Sequence, residues 1–322
     1  MPFNLILNSS NVIGTSNSQF RYNFIKGSFT ISEDSEMCVS QVVIPYSWNN
    51  ISSSYYSNAT IQYIFPYAAT TKTYTVVLPD GFYSTADINN FLQGYMILQN
   101  QYLIETSTGN NVYYIQLISN PTYYSNQILT FSVPTSLPVG YTAPLSGFNY
   151  ITGGTNYGFP TIANTPQLII PVYPSIGSIL GFKAGIYPPV QQSSNYSIAS
   201  YQQGIIPNAT PVNSIIIMCD KVNNPCSMPS IILDSFSINS TFGSNITYTP
   251  AYEKWIDILE GTYNSLTITL TDQNFNTLRA QDPNVLISLS LRNGKRRKDI
   301  PKLPIYPKVY TIKHPIDLEE DK

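Results

Sequence analysis

Met37 to Tyr46 read MCVSQVVIPY. The stretch is rich in β-branched and apolar residues, carries no charge, and closes on Pro45, which cannot donate to a sheet ladder. It reads as a buried strand. Outward from it the same signals recur. Gln19 to Ile25 (QFRYNFI) alternates aromatic and polar residues. Thr60 to Tyr67 (TIQYIFPY) and Thr73 to Leu78 (TYTVVL) come next, the second closed by the turn residues Pro79, Asp80 and Gly81. Further runs lie at 112–118, 128–133, 168–172, 214–219, 231–238, 255–259, 266–271 and 285–291. Short strands separated by turn residues predict an all-β sandwich or barrel.

One segment keeps a different period. In ADINNFLQGYMILQ, which begins at Ala86, residues Ile88, Phe91, Leu92 and Tyr95 recur at helical spacing and predict a single stripe against the core. Ser84 or Thr85 can cap this helix, and Asp87 suits its positive end. Residues 135–212 lose the strand rhythm. They are loaded with Pro, Gly, Tyr and Ser around one apolar island, QLIIPVYPSIGSILGF, and read as an insertion. The expected organisation is an N-terminal arm at 1–15, a sandwich domain at 16–298 carrying that insertion, and an extended tail at 299–322.

The tail region has two parts of interest. Lys295, Arg296, Arg297 and Lys298 form a basic cluster behind the Asn293–Gly294 turn, either a solvated strand end or a contact to nucleic acid or an acidic neighbour. Beyond it, spaced prolines hold an extended segment in which apolar residues nearly alternate. Tyr306, Tyr310 and Ile312 are the candidate assembly contacts there, because such a pattern suits a chain laid on a neighbour or added to a sheet edge.

Composition argues against catalysis. Of 322 residues only 11% are charged, and there is a single histidine, His314, in the proline-rich tail, a poor place to preorganise a base. Glu33, Asp34 and Glu36 read as a solvated turn, and Asp80, Asp87 and Asp220 sit beside turns or caps. No catalytic, metal-ligating or cofactor-binding set is expected. The 26 tyrosines and 24 prolines, in an Asn/Ser/Thr background, suit broad polar-aromatic contacts. A net charge of −2 favours neither nucleic acid nor an acidic membrane surface for the molecule as a whole. Adjacent pairs such as Tyr55–Tyr56, Tyr113–Tyr114 and Tyr123–Tyr124 would place one ring in and one out if they lie in strands.

Cys38 lies in an apolar run and reads as a small core residue. Cys219 and Cys226 leave a short-loop disulfide open, whereas their spacing does not suit zinc. The sparse, odd cysteine count fits an intracellular assembly site better than a secretory one. No signal segment and no membrane span is expected. Sequons such as those at Asn58, Asn208 and Asn245 are at chance frequency in so much Asn, Ser and Thr.

Taken in order, LNSSN, QFRYNF and MCVSQVVIPYSWNNI resemble the opening of the jelly-roll capsid proteins of virophages, polinton-like viruses and large eukaryotic DNA viruses. LPDGFYSTADINNFLQ, Leu180-Gly181-Phe182 and ILDSFSI are similar to later elements of the same proteins. The resemblance covers residues 5 to 292, through short motifs. It implies an antiparallel jelly-roll sandwich with one short helix and a loop insertion. It also implies a structural, non-enzymatic capsid protein in the virion shell, assembled inside the host cell. The chain length is similar to that of the penton or minor capsid proteins. The implied partners are copies of itself, in a pentamer at the vertex, and neighbouring major capsid proteins, with a contact to nucleic acid open through the basic cluster. Two alternatives stand beside it: a compact double jelly-roll major capsid protein that forms trimers, and a carbohydrate-binding or fibre lectin module. A lyase or hydrolase acting on polysaccharide is a third and weaker option.

Overall fold

The computed structural model describes residues 3–144 and 159–293. Two antiparallel sheets form a sandwich. In chain order its eight strands are Phe3–Leu7, Gln19–Asn23, Ser35–Pro45, Ser214–Cys219, Ile232–Ser237, Asn245–Tyr248, Ser265–Asp272 and Leu286–Asn293. Counted first to eighth, they lie in the order 1-8-3-6 in one sheet and 2-7-4-5 in the other, and the short strand Ile256–Asp257 adds to the third. First pairs with eighth, second with seventh, third with sixth and fourth with fifth. This is one long antiparallel ribbon, rolled up so that eighth meets third and seventh meets fourth. The wrap defines a jelly roll.

Period-two alternation accounts for the core. Ile215, Ile217 and Cys219 and, on the neighbouring strand, Leu266, Ile268 and Leu270 all point inward from one sheet and are buried. The 35–45 strand is less regular. Met37 and Val39 point inward, and so do Val42 and Ile44, so the inward phase changes between Ser40 and Gln41. The partner strand shifts register there, between Ser288 and Leu289. The stretch that looks like a continuous apolar run is therefore two alternating strands joined by a bulge. Cys38 falls in the outward phase yet is fully buried, beside Ser290 and Ser40.

Two expectations are corrected. Residues 3–7 are not part of an arm but a strand paired with Leu291 to Ile287. Their partner lies at the other end of the described chain, so nothing local marks the segment as a strand. The insertion also begins far earlier than residue 135. Between the third and fourth strands, residues 51–209 build a second body with its own core. It contains a four-stranded sheet ordered Gly185–Tyr187, Gln167–Ile170, Thr60–Tyr67 and Thr70–Val77. A three-stranded sheet runs Tyr196–Ala199, Ser125–Thr130 and Ile115–Asn120, and a smaller one Tyr141–Thr142, Tyr102–Glu105 and Asn111–Tyr113. The island that reads as an anchor supplies Leu168, Ile170, Ile179, Leu180 and Phe182 to this second core rather than to the sandwich. Gly181 takes a left-handed turn there (φ +80°). A Cβ on it would come within 2.9 Å of Pro207, so only glycine lets the exit segment pass so closely.

The predicted helix is present as Thr85–Leu98, capped by the Ser84 side chain and by the return bond from Asp87. Its packing differs in part from the stripe read in the sequence. Ile88, Leu92 and Met96 are fully buried, whereas Phe91 and Tyr95 are only half-buried against the same core. Asn89 Oδ1 accepts from the Leu117 amide at 2.8 Å and occupies a group on the outer edge of the 115–120 strand. Leu92→Ala should therefore cost about 2–5 kcal/mol in urea unfolding. Phe91→Ala should cost clearly less, and the reverse ranking would mean the helix is rotated.

Candidate assembly surfaces

The alternating direction of the eight strands gives the sandwich two ends. One holds the connections 8–18, 46–213, 238–244 and 273–285, and so carries the second body. The other holds 24–34, 220–231 and 249–264.

At the first end the chain enters the second body through Tyr46 to Ile51 and leaves it through Ala209 to Val212. Asn50, 1% exposed, ties both passages together. Its Nδ2 donates to the carbonyls of Tyr83 and Ala209 at 2.8 and 2.7 Å, and its Oδ1 accepts from the Tyr83 amide at 2.8 Å. Ile51 and Gly81 exchange backbone bonds at 3.0 Å each way. Phe82 reaches from the second body onto the sandwich core, stacked on Phe242 at 4.7 Å and edge-on to Tyr46 at 5.5 Å. Asp80 accepts from the Ser53 amide at 2.7 Å and the Ser52 hydroxyl at 2.8 Å, which hold its carboxyl below the usual range. It is a turn fastener with both oxygens engaged. A small cleft beside it is lined by Trp48, Tyr55, Tyr56, Asp272 and Arg279, with the guanidinium 3.9 Å from the Tyr55 ring centre. Burial pushes the Tyr56 hydroxyl up to about 12.

Charge divides sharply between the two bodies. From residue 46 to 213 the only ionisable acids and strong bases are Lys72, Asp80, Asp87, Glu105 and Lys183, out of 16 basic and 18 acidic residues in the chain. The same segment holds 20 of the 26 tyrosines. A surface rich in Tyr, Ser and Asn and poor in charge gives large, stiff contact area at low entropic cost. Tyr123 and Tyr201 stack at 5.0 Å on it, both exposed, and Tyr124 stands beside them in a left-handed conformation (φ +47°). The in-and-out rule for adjacent tyrosines is met only in part by Tyr113 and Tyr114, where the second is buried and the first is half-buried against the same core. It does not apply to Tyr123 and Tyr124, which lie in a turn with both rings exposed.

The opposite end is acidic. Glu33, Asp34, Asp220, Asp257 and Glu260 are exposed there. The connections that carry them are held together: Phe29–Ile31 pairs with Gly261–Tyr263, Asp257 registers against Glu36, and Val222 bridges Ile258. Three described cations at this end have carboxylate partners, and Lys26, exposed in the 24–34 connection, forms no ion pair among the described residues. Lys221 meets Asp220 at 3.0 Å, Lys254 meets Asp234 at 2.7 Å, and Arg292 meets Glu36 at 2.8 Å. Sequence reading assigns Glu33, Asp34 and Glu36 to a solvated turn. Their place in a larger acidic surface comes from loops distant in the chain, which no local signal marks.

The sequence-predicted contacts Lys295, Arg296, Arg297, Lys298, Tyr306, Tyr310 and Ile312, like His314, lie outside the described residues. All three cysteines are free thiols. Cys38 and Cys219 are buried and Cys226 is exposed. Burial raises the Cys38 thiol to about 11 and the Cys219 thiol to about 12. A thiol reagent at neutral pH should therefore modify Cys226 rapidly and the other two only on unfolding. Fast reaction of two thiols in the native protein would contradict this burial. Among the described residues no group of His, Cys, Asp and Glu is arranged to hold a metal ion, and no helix is long and apolar enough to cross a membrane.

No protein-family model matches the chain, and no curated protein matches it. Among solved structures, the crystal structure of selenomethionine-labelled mavirus penton protein is similar at a TM-score of 0.36 and 10% identity. The alignment covers 90% of this chain and 97% of that one. At that score the fold assignment rests on the strand pairing described above, not on the likeness.

Proposed function

We propose that this chain is a structural subunit of a viral capsid, and that it assembles as the pentamer of an icosahedral vertex. The observation that carries the reading is the coincidence of sequence and topology. QFRYNF and MCVSQVVIPY, two segments that resemble jelly-roll capsid proteins, are the second and third strands of the rolled ribbon. The later similar segment ILDSFSI contains the fifth. Fold by itself does not imply function, so the resemblance supplies the role and the topology supplies its consistency.

The mechanism is geometric. A heterologous contact between copies closes into a ring when the rotation per subunit divides a full turn. The sandwich is the wedge, and its low charge outside the acidic end keeps repulsion between copies small. The second body, placed at one end of the wedge, presents a nearly uncharged tyrosine-rich surface for contact with a neighbouring shell protein or an external partner. Native mass spectrometry of the purified full chain tests the reading. Five copies are expected. Three copies would favour a trimeric shell protein. A stable monomer that binds a glycan array would favour the lectin alternative.

A further inference from the structure

The last described residue of the eighth strand, Asn293, registers against Ser35, so the chain leaves the sandwich in the midst of the acidic end. The sequence beyond this strand has the opposite character. Residues 295–313 hold seven basic residues against one acidic residue, Asp299, interleaved with Leu303, Ile305, Tyr306, Val309, Tyr310 and Ile312. The acidic end offers the complement of both features. Among the described residues, no cation lies within ion-pair distance of Glu33, Asp257 or Glu260, while Lys221, Lys254 and Arg292 are already matched. The same end exposes apolar side chains: Ile25 at 95%, Met228 at 93%, Phe3 at 52% and Leu259 at 45%. Exposed apolar groups set among unmatched carboxylates are a poor surface to leave in water and a fitting one for a basic, apolar-alternating strand.

We propose that the acidic end of the sandwich is the docking surface for residues 295–313. Glu33, Asp257 and Glu260 receive the cations, and Ile25, Met228 and Leu259 receive the apolar residues between them. An extended chain advances about 3.3 Å per residue, so the segment spans roughly 60 Å and can cross this end from where it emerges. The inference rests on charge and topology and holds whatever the number of copies. Nucleic acid is the competing partner for a basic segment, and the test separates the two.

Zero-length carbodiimide cross-linking of the full chain, read by peptide mass spectrometry, joins lysines only to carboxylates in contact. Cross-links from Lys298, Lys302, Lys308 or Lys313 should map to Glu33, Asp34, Asp257 or Glu260. Their yield should fall severalfold at about 0.5 M salt, where the screening length drops to a few ångström. The double substitution Glu33→Lys with Glu260→Lys, both at exposed positions that leave the core untouched, should abolish most of them. The proposal is overturned if no such cross-links form, or if they scatter over Asp87, Glu105 and Asp282 in proportion to exposure. It also fails if a short DNA duplex at equal salt protects the tail lysines while the acidic end remains uncross-linked.

Discussion

Replacing residues 52–208 by a short Gly/Ser linker should leave a fully folded protein, whereas deleting 135–212 should leave the remainder of the second body unfolded. The ends are already adjacent, since the Asn50 side chain bonds the Ala209 carbonyl at 2.7 Å, so about four linker residues suffice, within the usual range for short connections. All eight sandwich strands and their core lie outside the excised segment. The cost is the exposure of Tyr46 and Phe242 where Phe82 packs, about 2 kcal/mol for one aromatic contact area. The smaller deletion is far more damaging. It removes Leu168, Ile170, Ile179, Leu180 and Phe182 from a core that also holds Ile61, Tyr63, Ile88 and Leu92. It also strips the 60–67 and 125–130 strands of their partners 167–170 and 196–199. At about 1.5–3 kcal/mol per buried side chain, the five losses alone reach about 10 kcal/mol, the size of a domain's whole stability. Circular dichroism and cooperative urea unfolding of the two deletions check this. A folded 135–212 deletion beside an aggregated 52–208 deletion would show that the two cores are not separate.

The second large effect is expected at Asn50. Truncation to Ala orphans the Tyr83 amide, the Tyr83 carbonyl and the Ala209 carbonyl in a site without solvent access. At about 1–3 kcal/mol for each of the three unsatisfied buried groups, Asn50→Ala should lose about 3–9 kcal/mol of unfolding free energy. Asn50→Asp is more informative. It keeps the acceptor for the Tyr83 amide but turns a donor into an oxygen facing two carbonyls. Burial and those carbonyls raise the introduced carboxyl above its unfolded value, since the protonated form alone can donate. The penalty is then largest at neutral pH and shrinks as pH falls through the raised folded value, opposite in sign to Asp80, whose depressed carboxyl loses its contribution as pH falls. A pH-independent deficit in Asn50→Asp, measured by urea unfolding between about pH 5 and 8, would mean that water replaces the missing donor.

Much of the sandwich is legible in single strands. The alternation of 214–219 and 265–272, the helix with its Ser84 cap, and the turn at Pro79 to Gly81 all arise from local periodicity and local hydrogen bonding. The buried character of 37–46 is legible too, but not its bulge, because the phase change at Ser40 and Gln41 is set by a partner strand about 250 residues away. Residues 135–212 look irregular for a related reason. Their strands are two to four residues long and are completed by 60–67, 102–105 and 125–130 from earlier in the chain, so no window contains enough of a repeat to detect.

Sequence by itself determined the β class and the helix with its cap. These are properties of residue type and short spacing, and short-range sterics and solvation act on them directly. Only the tertiary structure decided the order 1-8-3-6 and 2-7-4-5, the true extent of the insertion, the Asn50 tie, and the gathering of Glu33, Asp220, Asp257 and Glu260 at the end where the basic segment departs. Each of those depends on pairing between residues far apart in the chain. Such pairing is selected by the free energy of burying both partners together, a quantity that no local stretch of sequence contains.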